Sequence, residues 1–420
     1  MSVLLGCLAD DFTGATDLAN NLVRNGMRAV QTLGVPSGAL DAEVDAVIVA
    51  LKSRTTPAAD AVKESLAALR WLQAQGARQI YFKYCSTFDS TAQGNIGPVT
   101  EALMDALRAP FTIATPAFPD NQRTVFKGYL FVGDVLLSES GMRDHPLTPM
   151  RDPNLVRVLQ AQCGRKVGLI DYRTVAQGEA AIRARIAALQ ADGISIAIVD
   201  ATSNDDLLRL GPALADLPLV TAGSGVAIAL PANFGIEPSE AASRLPQADG
   251  LRAVVSGSCS QATNRQVQAF VATGRPAFAI DPLRIARGED VAGQALAWAR
   301  PLLASGPVLV YSTAQPESVK AVQGQLGPDQ AGALVERTLA TISAGLVEAG
   351  VRQLVVAGGE TAGACVQALG VQQLQIGRQI DPGVPWCAGR DAHGRGLHLA
   401  LKSGNFGADD FFTKSFGLLQ

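Results

Sequence analysis

The sequence predicts an α/β protein of two domains, each a largely parallel sheet flanked by helices. Three observations carry that expectation. Short apolar runs alternate with longer stretches whose apolar residues recur at helical spacing. The first run, Val3–Leu8, is apolar rather than alternating with polar residues, as in a strand covered on both faces. The 420 residues, 48% hydrophobic, suit about two or three domains, each with its own core.

Val3–Leu8 (VLLGCL) reads as the first buried strand, followed by a helix from about Gly14 to Asn25 that Gly26 stops. Asp45–Leu51 is the next strand. The stretch Pro57–Gln75 places Val62, Leu66, Leu69 and Leu72 on one helical face, with Pro at its start and Gly76 at its stop. Arg78–Tyr84, Phe111–Thr115, Lys166–Asp171 and Ile194–Asp200 continue the strand series. Over 232–250 the periodicity lapses into a Pro-, Ser- and Ala-rich stretch with acidic residues. This suits a linker, so the expected division is 1–235, a linker at 236–250, and 251–420. Strands then resume at Leu251–Val255, Ala277–Asp281, Pro307–Ser312, Gln353–Ala357 and Gly396–Leu401.

Composition excludes several classes. Lys+Arg number 35 against 38 Asp+Glu, a net charge of −3 with no basic run, so a nucleic-acid binder is not expected. No apolar run approaches the ~18–20 residues that span a bilayer. The opening MSVLLGCLADDFTGA lacks a basic n-region and a cleavage site, so no signal peptide is expected and the expected location is cytoplasmic. The six cysteines form no C-x-x-C pair and the three histidines no H-E-x-x-H, so a protein-built zinc site is not expected and metal ligands stay unassigned.

Ligands of open parallel sheets bind at the carboxyl ends of the strands, which directs attention to the loops there. After the first strand, Asp10 and Asp11 could bind a metal, orient a substrate hydroxyl or accept its proton. An acid and Thr13 could equally cap the next helix. After the third strand, Lys83, Ser86, Thr87 and Asp89, running on to Asn95, offer a cation for a carboxylate and several partners for hydroxyls. Arg54 is a weaker anion-binding candidate. In the second half, three strands run into small-residue turns: Ser256–Ser260, then Gly358–Gly363 (GGETAG), then Lys402-Ser403-Gly404. Glycine lets backbone approach a phosphate, and free N–H groups at a helix start suit an anion. No P-loop motif is present, and no G-x-G-x-x-G follows a strand.

As a set, these motifs resemble the four-carbon acid sugar kinases, which act on 3-oxo-tetronate, D-threonate and D-erythronate. The resemblance runs over nearly the whole chain. It is carried by ADDFTGA (Ala9–Ala15), KYCSTFDSTAQGNIGP (Lys83–Pro98), PAFPDNQR (Pro116–Arg123), GYLFVGDVLLSES (Gly128–Ser140) and SGSCS (Ser256–Ser260). GGETAGA (Gly358–Ala364), PGVPW (Pro382–Trp386) and LALKSGNFG (Leu399–Gly407) complete it. One departure is Asn121-Gln122, where a glycine is expected before the arginine.

The resemblance implies an N-terminal acid-sugar domain, a C-terminal nucleotide domain and an active-site cleft between them. It implies transfer of a phosphoryl group from ATP to the terminal (C4) hydroxyl of a four-carbon sugar acid, with Mg²⁺ bridging ATP oxygens. Ser258, Gly358, Gly359, Glu360, Thr361, Ala362, Gly363 and Gly404 become the expected ATP contacts, with Lys402 and Ser403 beside them. Asp10 or Asp11 becomes the expected base. The C-terminal GLHLALKSGNFG followed by DDFF resembles the branch acting on the 3-oxo acid. The expected partners are the sugar acid and ATP, with a homodimer left open. Two rivals are weighed against this: an NAD(P)-dependent oxidoreductase, which lacks its glycine fingerprint here, and an exported sugar-acid-binding protein, which would not need three glycine turns.

Overall fold

The computed structural model describes residues 3–38, 40, 43–145, 148–313, 324 and 327–419. The chain forms two compact units, Met1–Ser243 and Arg244–Gln420.

In the N-terminal unit, β1 (Leu5–Ala9) leads into α1 (Phe12–Arg24), then β2 (Ala29–Leu33) and β3 (Ala46–Ala50). Helix α2 (Ala58–Ala74), β4 (Gln79–Lys83), α3 (Ile96–Leu107) and β5 (Thr112–Thr115) follow. A small antiparallel sheet of β6 (Arg123–Phe126), β7 (Tyr129–Val132) and β8 (Val135–Leu136) is inserted next. The unit's large sheet closes with β9 (Lys166–Ile170), β10 (Ile194–Val199) and β11 (Leu219–Ala222). Its order is β2-β3-β1-β4-β11-β5-β10-β9, with every neighbouring pair parallel. Strand order reverses between β1 and β4, the place where such sheets hold ligands. The residues after β1 carry Asp10 and Asp11, and β4 ends on Lys83.

The expected strands are all present. β2 and β11 are additional, and each hides polar residues. In β2, Gln31 and Thr32 are fully buried; Thr16 Oγ1 donates to Gln31 Oε1 (2.8 Å), and Gln31 Nε2 donates to the Phe12 carbonyl (3.1 Å). In β11, Thr221 Oγ1 donates to the Ile113 carbonyl at 2.8 Å. A buried polar group is tolerable because it is paired, but the pairing breaks the apolar run that a sequence reading follows.

The C-terminal unit holds β12 (Leu251–Ser256), β13 (Ala277–Ala279), β14 (Val308–Tyr311), β15 (Val351–Ala357), β16 (Gln373–Asp381), β17 (Val384–Arg390) and β18 (Gly396–Lys402). The order is β13-β14-β12-β15-β18-β17-β16. The first five run parallel, and β16 and β17 form an antiparallel hairpin beside them. That hairpin has no counterpart in the expected strands, because its turn is Pro382-Gly383 and Pro385 follows at once. Pro385 is accommodated where the β16–β17 register slips, and β18 pairs with β17 only from Cys387 onward. Trp386 anchors the unit's core among Phe411, Phe412 and Phe416, its indole N–H donating to the Ser415 carbonyl at 2.8 Å.

Candidate active site

In the N-terminal unit, the loops at the carboxyl ends of β1, β3 and β4 meet through side chains. After β1, Asp11 caps α1: its carboxylate accepts from Gly14 N (3.0 Å) and from Thr13 Oγ1 (3.0 Å). The capping reading and the functional reading therefore fall on one residue. Gly14 is required there by contact, since a Cβ would overlap both the Lys83 ammonium and the Asp11 carboxylate.

Arg54, from the loop after β3, reaches across to both acids. Its Nε and Nη2 grip Asp10 at 2.8 and 2.9 Å, and Nη2 also bonds Asp11 at 2.6 Å. Asp89 lies 4.0 Å from its Nη1. Lys83 is buried with its Nζ 3.5 Å from Asp11 and 4.0 Å from Asp10. Burial pushes the Asp10 carboxyl up against the pull of Arg54. At Asp11 burial also acts upward, but Arg54 and Lys83 outweigh it and hold the carboxyl at about 2.

The loop after β4 is internally bonded: Thr87 Oγ1 donates to Asp89 at 2.6 Å and meets the Cys85 Sγ at 2.9 Å, with Ser86 half-buried beside them. Asn95 takes a positioning place, because its amide donates to the carbonyls of Ser53 (2.7 Å), Thr56 (3.1 Å) and Arg54 (3.4 Å). It holds the Arg54 loop against the start of α3. The structure thus brings Asp10, Asp11, Arg54, Lys83 and Asp89 together, and uses Asn95 to brace them.

Three further residues join this cluster that the sequence reading did not name as site residues. Asp17, on α1, accepts from Ser224 Oγ, which follows β11; the other oxygen of Asp17 is buried and unpartnered. Burial pushes this carboxyl up to about 7, against the pull of Lys83. Arg123, at the start of β6, has a guanidinium within electrostatic reach of Cys85, Asp89 and Asp17. Its arginine was visible in PAFPDNQR, but nothing in the motif tells where its side chain goes. Among the described residues, no three His, Cys, Asp or Glu side chains converge as a metal-binding group.

In the C-terminal unit, β12, β15 and β18 are adjacent, so the three glycine-rich turns converge. Gly257 N and Ser258 N donate to the Ala357 carbonyl (2.9 and 3.2 Å), and Gly358 N donates to the Lys402 carbonyl (2.8 Å). Gly358 holds a φ of +120°. A Cβ on Gly404 would stand 2.6 Å from Ser258 Oγ, so the turns after β12 and β18 meet only because this residue has none. Helix Gly359–Ala368 begins at Gly358 with no side-chain cap, leaving its first N–H groups for an anion. Thr361, Ala362 and Gly363 are buried in its first turns, whereas Glu360 is exposed. Helix Gln261–Ala272 is instead capped by Ser260.

Lys402, expected beside the ATP contacts, lies inside the unit. It is fully buried, and Nζ donates to Thr263 Oγ1 (3.0 Å) and to the carbonyls of Ser403 (3.0 Å) and Gly404 (2.9 Å). Desolvation lowers its pKa to about 7. Gln266, unmarked in the sequence, extends the same device: its amide donates to the carbonyls of Phe406, Gly407 and Ala408 at 3.0, 2.9 and 3.1 Å. Both residues pull the loop's carbonyls inward and fix the backbone around Ser403 and Gly404.

A family model described as a sugar-binding N-terminal domain matches residues 5–230, and one described as a nucleotide-binding C-terminal domain matches residues 253–412. The chain belongs to the four-carbon acid sugar kinase family. A Burkholderia multivorans relative named 3-oxo-tetronate kinase is 63% identical, the match covering 99% of this chain and 97% of the relative. A Pseudomonas fluorescens relative of the same name is 60% identical over 99% and 97%. Among solved structures, a Salmonella typhimurium LT2 protein aligns with a TM-score of 0.88 at 45% identity, covering 99% of each chain. It carries a provisional tRNA synthase description. A Haemophilus influenzae protein aligns at 0.81 and 46%, covering 99% of this chain and 100% of that one. The kinase-family fold is therefore shared along the full length.

Proposed function

We propose that the chain is an ATP-dependent 3-oxo-tetronate kinase, converting 3-oxo-tetronate and ATP to 3-oxo-tetronate 4-phosphate and ADP. The observation that carries this reading is the 63% identity along 99% of the chain to a relative of that name. A tRNA-directed activity is not favoured, since the net charge of −3 offers no basic footprint for a polyanion. In the same reading, residues 1–235 hold the sugar acid, residues 251–420 hold ATP, and the enzyme acts in the cytoplasm.

The residues present fit ATP. The uncapped start of helix Gly359–Ala368, with Gly358 to Gly363 and the converging Ser258, Ser403 and Gly404, would receive its phosphates on backbone N–H groups. Mg²⁺ would be held chiefly by phosphate oxygens and waters, a mode that needs few protein carboxylates. When bound, it neutralises charge on the β- and γ-phosphate oxygens.

Within the N-terminal unit, Asp11 is the acid nearer to solvent, its side chain 23% exposed against 6% for Asp10. We assign it the orientation of the C4 hydroxyl and late acceptance of its proton. A loose phosphoryl-transfer transition state demands little basicity, so a carboxylate held low can serve. Asp10 and Arg54 lock each other in place, and Thr87, Asp89 and Lys83 supply partners for the remaining oxygens.

An ADP-release assay over 3-oxo-tetronate, D- and L-threonate and D- and L-erythronate, with ATP and Mg²⁺, tests the proposal. Turnover of 3-oxo-tetronate above the others is expected. Turnover of none would remove the kinase reading, and preference for D-threonate or D-erythronate would move the enzyme to another branch of its family.

A further inference from the structure

The N-terminal cluster holds three cations and four carboxylates, yet the cations are not equivalent. Arg54 is engaged by Asp10 on two nitrogens and by Asp11 on one, and Lys83 lies against the same two acids. Arg54 commits Nε and Nη2 to these acids and keeps Nη1 alone, so it cannot offer a newcomer two parallel N–H groups.

Arg123 is built differently. Among the described residues it forms no ion pair, and its side chain donates from Nη1 to the carbonyl of Asn121. Its Nε is buried with no hydrogen-bond partner. A buried, unsatisfied guanidinium N–H is costly to leave unmade, and the fold goes to some length to keep it so. Residues 119–121 form a short turn, and Gln122 takes a left-handed φ of +57° that turns the chain into β6. Arg123 N then donates to the Phe118 carbonyl (3.1 Å) and Phe118 N to the Arg123 carbonyl (2.8 Å). The backbone is thereby pinned while one edge of the fork, Nε with Nη2, is left over.

We infer that this Nε–Nη2 edge of Arg123 receives the carboxylate of the sugar acid. The edge presents two parallel N–H groups, the geometry that binds a carboxylate bidentately. The segment leading to Arg123 packs on the loop that carries Ser224, the partner of Asp17, since a Cβ on Gly225 would overlap the Ala117 carbonyl oxygen and stand 3.1 Å from Phe118 Cα. Cys85, Asp89 and Asp17 lie within electrostatic reach. The charges agree as well: without Arg123, Arg54 and Lys83 are matched by Asp10 and Asp11, and no unmatched positive charge remains for an anion. The inference deepens the kinase reading and rests on it, naming the group that selects an acid over a neutral sugar.

The test compares wild-type enzyme with Arg123→Met and Arg123→Lys, using 3-oxo-tetronate and its uncharged primary amide. Binding is read by calorimetry without ATP, and turnover by ADP release. Arg123→Met is expected to weaken acid binding and raise its KM about 100-fold with a smaller change in kcat, as for loss of a charge-assisted pair. Turnover of the amide should hardly change, and Arg123→Lys should recover part of the acid affinity. Unchanged acid affinity in Arg123→Met overturns the inference and leaves the kinase reading standing. Equal loss for acid and amide also overturns it, as a structural role. A wild-type enzyme that neither binds nor phosphorylates any four-carbon acid overturns both.

Discussion

The two candidate sites handle buried charge in opposite ways. In the N-terminal unit, Lys83 and Arg54 are set directly against Asp10 and Asp11, so cations and anions enter the interior together. In the C-terminal unit, Lys402 is buried against one hydroxyl and two carbonyls, with no carboxylate bonded to it among the described residues. A site for a small, singly charged acid must discriminate one carboxylate, and paired charges leave one arginine to do so. A site for a triphosphate can rely on many weak dipoles, and there the lysine shapes the backbone that carries them.

Breaking the paired cluster should have the largest effect. Arg54→Met leaves Asp10 and Asp11 without their main partner in a buried setting. A loss of stability of about 3–5 kcal/mol is expected, because removing one member of a buried pair strands the other. Thermal melts read this loss directly, and turnover should fall with it. Wild-type stability would mean that solvent reaches the pair and the contrast between the units is false.

The nucleotide side is sharpened by Gly404→Ala. Its new Cβ would stand 2.6 Å from Ser258 Oγ, forcing the turns after β12 and β18 apart. A rise of roughly 10- to 100-fold in the Kd for ATP is expected, with the sugar-acid affinity unchanged, as for a misplacement that costs about 1.4–2.8 kcal/mol. Equal loss of both affinities would argue against separate sites.

The smallest effects are the most diagnostic, because the two units predict opposite slopes of stability with pH. Lys402 titrates near 7 in the folded chain, below its ordinary value of 10.5. The unfolded state therefore binds the extra proton between those values, and this residue's contribution to stability rises with pH from about 7 upward. Asp17 titrates near 7 when folded, above its ordinary 3.8. There the folded state binds the extra proton, and stability falls as pH rises between those values. Melting profiles of Lys402→Met and Asp17→Asn, each subtracted from wild type, should show slopes of opposite sign, up to about 1.4 kcal/mol per pH unit. Slopes of the same sign would show that one group is not buried in its stated environment.

Much of this organisation was legible in the sequence. The short apolar runs at β1, β3, β4, β12 and β15, alternating with helical stretches, pointed to the parallel sheets, and their carboxyl ends held Asp10, Asp11, Lys83, Ser258 and Gly358. What was not legible depends on long-range closure. Asp17 acquires its character from burial by the folded chain, against Ser224 some two hundred positions away in sequence. Arg123 matters through the partners it lacks, which no local pattern reports. Lys402 was visible as a lysine beside a glycine turn, but its direction was not: β18 carries it inward, where Thr263 waits on a neighbouring helix. β2 and β11 escaped because their buried threonines and glutamine imitate loop composition.

The contact at Gly14 sets a limit on how this site can vary. The first atom that any other amino acid adds at that position falls on the Lys83 ammonium and the Asp11 carboxylate together. No gradation of side-chain size offers a milder alternative, since alanine already introduces the offending atom. Relaxing the position would require Lys83 to withdraw, which would uncouple the loop after β4 from the loop after β1. Helix α1 is buried from Thr13 to Val23, and its third residue can change only where Lys83 and Asp11 give way beneath it.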